Sequence, residues 1–408
     1  MNPIKTMPGS ELIGAEERKE INDVLETGIL FRYNHDEQRK GHWKAKTFEQ
    51  ELAKFTGAEY ALMCSSGTTA VALCMAACGV GMGDEVLVPP FTYIATIEGV
   101  LLGGALPKFV DIDETLCLSP EAIRAAITPK TKAVIVVHMC GAMAQIDQIL
   151  QICEEHNLIL IEDAAQALGA SFKGKMLGTF GKVGAYSFDF FKIITAGEGG
   201  AIVTNDKQMY LNADMFSDHG HDHIGNNRGM EGHPVLGTNF RTSELHAAIA
   251  VAQLRKIDYI LAQQRKHKKK LKETLSRFPE ITFRHLPDPE GDSATFLSFF
   301  LPDEETARRV VKAFAENSIG GIQYWYDNHF HYIRNWEHLR GMKTLFTIPA
   351  QTMECPQDYA TVQLPASDAI MQRLISMVVR VTWTEEELNA LCAKLTDVLS
   401  SVLNKQPA

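Results

Sequence analysis

Between residues 60 and 204 the chain repeats one pattern, a short apolar or β-branched run followed by a helical segment, and this repetition narrows the fold more than any other feature. The runs fall at 60–64, 85–88, 107–111, 133–137 and 158–161. The helical patterns fall at 68–78, from about 92, at 119–127, 143–156 and 164–168. Strands separated by helices pair in parallel, because each connection must cross back over the sheet, and a parallel sheet is covered on both faces. Ser119, Pro120 and Glu121 mark one helix start, with an N-cap serine, proline at the first helical position and an acid in the first turn. A further run at 200–204 closes the region. An amphipathic pattern at 11–27 has no core of its own and must dock elsewhere, a helix follows at 46–55, and a long helix is expected at 243–275. The fold class expected is α/β, with a large, mostly parallel sheet covered by helices over residues 1–259 and a smaller α+β domain over 260–408.

Composition excludes several classes. The 408 residues are 45% hydrophobic and 22% charged, with a net charge of −10. Nucleic acid is not the expected partner, since neutralising phosphates dominates that affinity. The one basic cluster, 265–270, has helical spacing and reads as a solvated face. The eight cysteines lack the paired spacing of a zinc or redox motif and read as free thiols in a reducing, cytoplasmic compartment. Residues 1–6 lack the apolar core of a signal peptide, and no apolar run approaches the ~20 residues that span a bilayer.

Four local features carry chemistry. Lys192 sits among Phe190, Phe191, Ile193 and Ile194, ahead of a glycine-rich turn. Desolvation there lowers the pKa of an amine toward the nucleophilic form that makes a Schiff base; a lysine reaching past apolar neighbours to water is the plain alternative. Ser66, Gly67 and Thr68 stand between a strand and a helix, where free N–H groups attract a phosphate or the serine simply caps. Asp163 ends a buried strand, the place where open α/β sheets bind ligands, and either caps the helix expected after it or holds a ring nitrogen protonated. Tyr93 offers a face for a flat ring or belongs to the core.

In this order along one α/β region the features resemble the DegT/DnrJ/EryC1/StrS family of fold-type I aminotransferases. The supporting segments are 66–68, 90–93, 162–166, 187–192, 197–200 and 237–241, so the likeness spans nearly the whole chain. It implies pyridoxal 5′-phosphate as cofactor, with Lys192 as the amine that binds it and later shuttles a proton. Asp163 would face the pyridine nitrogen, Gln166 the ring hydroxyl and Tyr93 the ring. Gly67, Thr68 and Ser187 would hold the phosphate, joined by Asn239 from the other subunit of a homodimer. Segments 31–34, 216–223 and 324–326 resemble a branch that aminates the C8 aldehyde of a 3,8-dideoxy-octulosonate, a lipopolysaccharide sugar acid, with an amino acid such as glutamate as donor. Arg32, Tyr33, His219 and His221 are the candidates to touch that sugar. The histidines at 219, 221 and 223 are expected in a loop, not around a metal. A nucleotide-linked ketosugar as acceptor, or a non-catalytic binding protein of the same fold, are the rival readings.

Overall fold

The computed structural model describes residues 8–225 and 227–403; the stretch 1–6, expected to carry no signal peptide, lies outside them. The apolar runs form β1 (Tyr60–Cys64), β2 (Glu85–Val88), β3 (Leu106–Phe109), β4 (Thr131–Val137) and β5 (Ile159–Asp163). A small hairpin, β6 (Ser171–Phe172) and β7 (Lys175–Met176), precedes β8 (Val183–Ser187) and β9 (Gly200–Thr204). Seven strands make one sheet in the order β1-β9-β8-β5-β4-β2-β3. From β8 to β3 the pairing is parallel. Strand β9 is antiparallel to both neighbours, because residues 188–199 return the chain from β8 without a crossover helix.

Alternation along the strands sorts the core onto two faces. Ile135, Val137 and Ile161 pack with the helices Gly67–Ala77 and Ala95–Leu102. Val134, Val136 and Leu160 pack with Ile146–Glu155 and Glu244–Leu254. A second sheet, in the order β10 (Thr282–Phe283), β11 (Phe296–Phe300), β13 (Leu374–Val378), β12 (Ile322–Gln323), is antiparallel throughout. Leu297, Phe299, Ile375 and Met377 face helices Ile257–Leu275, Glu304–Glu316 and Glu385–Leu403, while Phe296 and Val378 turn to the core of the large sheet. Segment 325–371 packs there too, through Trp325, Tyr332, Trp336 and Met371.

Two expected helices differ. The 243–275 pattern is two helices, Glu244–Leu254 and Ile257–Leu275. At the break Arg255 pairs with Glu20 and Glu51, and Lys256 with Glu16 and Glu17, so carboxylates of the first helices compete with a straight helical course. Residues 164–168 form turns instead of a helix, closed by Ala167 N to Ala164 O at 2.9 Å and Ala170 N to Ala167 O at 3.0 Å, because Gly169 in the left-handed region (φ 81°) stops a helical course.

Glu162, fully buried, ties β5 to the loop before β8. It accepts from the N–H groups of Gly178, Phe180 and Gly181 at 2.5–2.7 Å and lies 2.9 Å from His138 Nε2. Removing the carboxylate orphans all four groups inside the protein. Glu162→Ala is expected to lower the unfolding free energy by about 3–5 kcal/mol, read by denaturant titration; a loss below about 1 kcal/mol, typical of a surface site, would refute that role.

Candidate active site

The parallel arrangement brings the carboxyl ends of β1, β5 and β8 to one edge of the sheet. Asp163 ends β5, Ser187 ends β8, and the register sets both Cys64 and Ser187 opposite Gly200. The backbone approach is close. A Cβ on Gly67 would stand 2.7 Å from Ser187 Cβ, and one on Gly200 would stand 2.2 Å from Ser66 O. Glycine is required at both positions for the helix N-terminus at Gly67 to sit against Ser187. Ser66 caps that helix through Thr69 N, leaving the end of the dipole beside the hydroxyls of Thr68 and Ser187.

Asp163 is held on both oxygens. Thr96 Oγ1 donates to Oδ2 at 2.7 Å, and Ala165 N to Oδ1 at 3.0 Å. It faces away from Glu162, since neighbours on a strand point to opposite sides. Thr96, itself bonded to Thr92 at 2.7 Å, is a functional neighbour the sequence reading missed. Its place one helical turn after Tyr93 was the available signal.

Lys192 stands on the β8–β9 connection, its backbone N–H donating to Asp189 O at 3.0 Å. Its Nζ lies 6.0 Å from the centre of the Tyr93 ring. Burial pushes the amine below the ordinary lysine range, against the opposing pull of the Asp189 and Asp163 carboxylates. His331, also missed, stands 5.2 Å from the Tyr93 ring and 4.7 Å from that of Trp325, centre to centre. Its Nδ1 donates to Asn328 Oδ1 at 3.0 Å. Burial, and then the Lys192 charge, push its pKa down to about 3, so it stays a neutral imidazole at physiological pH. Backbone pairing of Thr92 and Ile94 with His331 and Phe330 brings the two segments together. Gln166 faces the same space and accepts from Cys140 N at 3.0 Å.

From Lys192, Gln166 and His331 a cavity of about 620 Å³ runs toward the second sheet, past Thr295, Ser318, Gln323 and Arg380. The other expected contacts lie apart from this lining. Arg32 is buried, and its guanidinium donates to Glu49 and Met63 O, so its charge is already answered. Tyr33 stacks on His223 at 4.3 Å and bonds Asp214. His221 pairs with Glu231 at 2.8 Å. His219 is exposed in a left-handed turn at φ 56°. Asn239 is exposed in the following loop, where its backbone bridges to Asp218. Among the described residues no cluster of three His, Cys, Asp or Glu side chains is placed to hold a metal.

A desolvated amine, a fixed acid at a strand end, an aromatic beside the amine and a glycine-shaped cradle under a helix N-terminus are the parts that hold pyridoxal phosphate. The fold and this site define an aminotransferase that uses it. The model of the DegT/DnrJ/EryC1/StrS aminotransferase family matches residues 11–344, and the chain belongs to that family. GDP-perosamine synthase of Vibrio cholerae is 34% identical over 344 residues, covering 82% of this chain and 88% of that protein. The Caulobacter vibrioides GDP-perosamine synthase is 43% identical over 216 residues, but that match spans 53% of this chain and 57% of the relative. The solved structure of the aminotransferase from Psychrobacter cryohalolentis superposes with a TM-score of 0.84 at 25% identity, covering 96% of this chain and 98% of that one.

When bound, the cofactor supplies an electron sink for the carbon that loses or gains a proton. Lys192 Nζ would hold it and move that proton, Asp163 would face its ring nitrogen, and the edge formed by Gly67, Thr68 and Ser187 would take its phosphate. Borohydride reduction with pyridoxal phosphate, followed by peptide mapping, is expected to mark Lys192, and Lys192→Ala should abolish the mark. Because the amine sheds its proton early, the labelling rate should level off below pH 10.5, the ordinary lysine value. A mark on another lysine would remove Lys192 from this role.

Proposed function

We propose that this cytoplasmic enzyme moves an amino group from glutamate to the C8 aldehyde of a 3,8-dideoxy-octulosonate, in the synthesis of a lipopolysaccharide sugar. The observation that supports this reading is the charge of the cavity: Lys192 and Arg380 line it, no carboxylate among the described residues does, and the remaining polar lining is hydroxyl, amide, indole and the neutral His331 imidazole. A small sugar acid needs one cationic seat and several neutral partners for its hydroxyls, whereas a nucleotide diphosphate calls for several cationic or backbone donors. Glutamate, also a carboxylate-bearing substrate, suits the same lining. The relatives named for GDP-perosamine favour the second reading, a nucleotide-linked ketosugar.

We also propose a homodimer in which Asn239 completes the partner's phosphate site. The loop that carries it exposes Ile224, Met230 and Leu236, at 75%, 80% and 95%, an apolar surface suited to a second copy of the chain. Two expected outcomes test these proposals. The enzyme should aminate 8-oxo-3,8-dideoxy-octulosonate with glutamate, read by product mass; turnover of a GDP- or dTDP-linked 4-ketosugar and none of the octulosonate would transfer the assignment to the second reading. Lys192→Ala and Asn239→Ala subunits, mixed and reassorted, should recover activity above either parent, because one site of the heterodimer is intact. Demonstrated heterodimers without recovery would place Asn239 in its own subunit's site.

A further inference from the structure

We infer that Arg380 is the carboxylate seat of the cavity, and that Glu11, from the helix Pro8–Glu11, is the residue that aims it. The inference rests on the sugar-acid reading for the identity of one ligand only. Arg380 and Lys192 are the two cations of the lining. The backbone of Arg380 is fixed from several sides. His267 Nδ1 donates to its carbonyl at 2.8 Å, Gln264 Nε2 donates to Val379 O at 2.8 Å, and Val379 N donates to Thr295 O at 2.9 Å. The side chain is fixed from one side only, since Nε donates to Glu11 Oε1 at 2.8 Å.

The Glu11 carboxylate is fully buried and does not compete for the cavity. Its other oxygen accepts from Val381 N at 3.0 Å, Thr382 N at 2.9 Å and Thr382 Oγ1 at 2.8 Å. Glu11 itself is carried by a segment pressed onto the Lys192 loop. A Cβ on Gly9 would meet Thr195 N at 2.7 Å and Ile194 Cα at 2.9 Å. With Nε committed, the guanidinium keeps its end-on pair, Nη1 and Nη2. Neither has a hydrogen-bond partner among the described residues, and the side chain is 36% exposed. That pair is the fork that binds a carboxylate through two parallel bonds. A ligand whose carbonyl is at Lys192 therefore places its acid group at the opposite, small-sheet end.

A carboxylate in this cavity has two sources, the acceptor sugar acid and the amino donor, and binding measurements separate them. Calorimetry on the dimeric holoenzyme would use 3-deoxy-octulosonate, which lacks the reactive aldehyde, its C1 carboxamide, and 2-oxoglutarate. For Arg380→Ala the expected result is at least an about tenfold weaker Kd for the octulosonate. The carboxamide, already weak on the parent enzyme, should not change, and the 2-oxoglutarate Kd should hold. Glu11→Gln should weaken the octulosonate in the same direction but less, because the amide still accepts from the 381–382 N–H groups. Arg380→Lys should restore only part of the loss, since an ammonium lacks the fork. Loss of 2-oxoglutarate binding alone keeps the carboxylate seat but gives it to the donor. If the parent enzyme neither binds nor aminates the octulosonate, the substrate reading falls, and Arg380 is decided on the 2-oxoglutarate arm. A folded Arg380→Ala enzyme that binds every carboxylate its parent binds, with unchanged Kd, overturns the inference.

Discussion

A buried carboxylate with four hydrogen-bond partners, Glu162, is the interaction on which the placement of the active site depends. It ties the end of β5 to the loop that launches β8, and β8 delivers the chain to Lys192. An unpaired charge at that depth would be prohibitive, so the three N–H groups and His138 must be in place before the strand pair can close. Because strand neighbours alternate, the two residues that give β5 its structural acid also set an acid at the candidate cofactor site. Glu162 turns into one layer and Asp163 into the other.

A second constraint acts across the whole chain. Residues 90–94 hydrogen-bond to residues 330–333 through their backbones, which sets Tyr93, His331 and Trp325 together over Lys192. The cleft is therefore built from one loop of the parallel sheet and one segment that the chain makes between β12 and β13 of the second sheet. Desolvation follows from that closure, and it acts with the same sign on both bases: the Lys192 amine and the His331 imidazole each lose their protons more readily. A neutral imidazole next to the Lys192 amine adds no competing charge.

The contrast between Arg32 and Arg380 shows how local sequence misleads about substrate contacts. Arg32 stands in a conspicuous aromatic segment with Phe31 and Tyr33, yet it is buried, with Nη1 donating to the Met63 carbonyl and Nη2 to Glu49. Arg380 follows an ordinary apolar strand, and its neighbours along the chain give no hint of a ligand. What distinguishes them is which nitrogens remain unpaired and what space those nitrogens face. For Arg380 both depend on a distant partner, since Glu11 meets it across nearly the full length of the described chain.

The sequence by itself determined the layered α/β architecture, because alternation of apolar runs with helical segments leaves a covered parallel sheet as the economical way to bury both. It also pointed to Gly67, Asp163, Ser187 and Lys192 as candidates for a cofactor seat, since a strand–loop–helix pattern and a lysine in apolar company are local signals. Only the tertiary structure decided the break at Arg255 and Lys256 and the arrival of Thr96, His331, Arg380 and Glu11. Each of these depends on which distant donor or acceptor reaches a given backbone or side-chain group first, and hydrogen-bond satisfaction between distant segments leaves no periodic mark in the sequence.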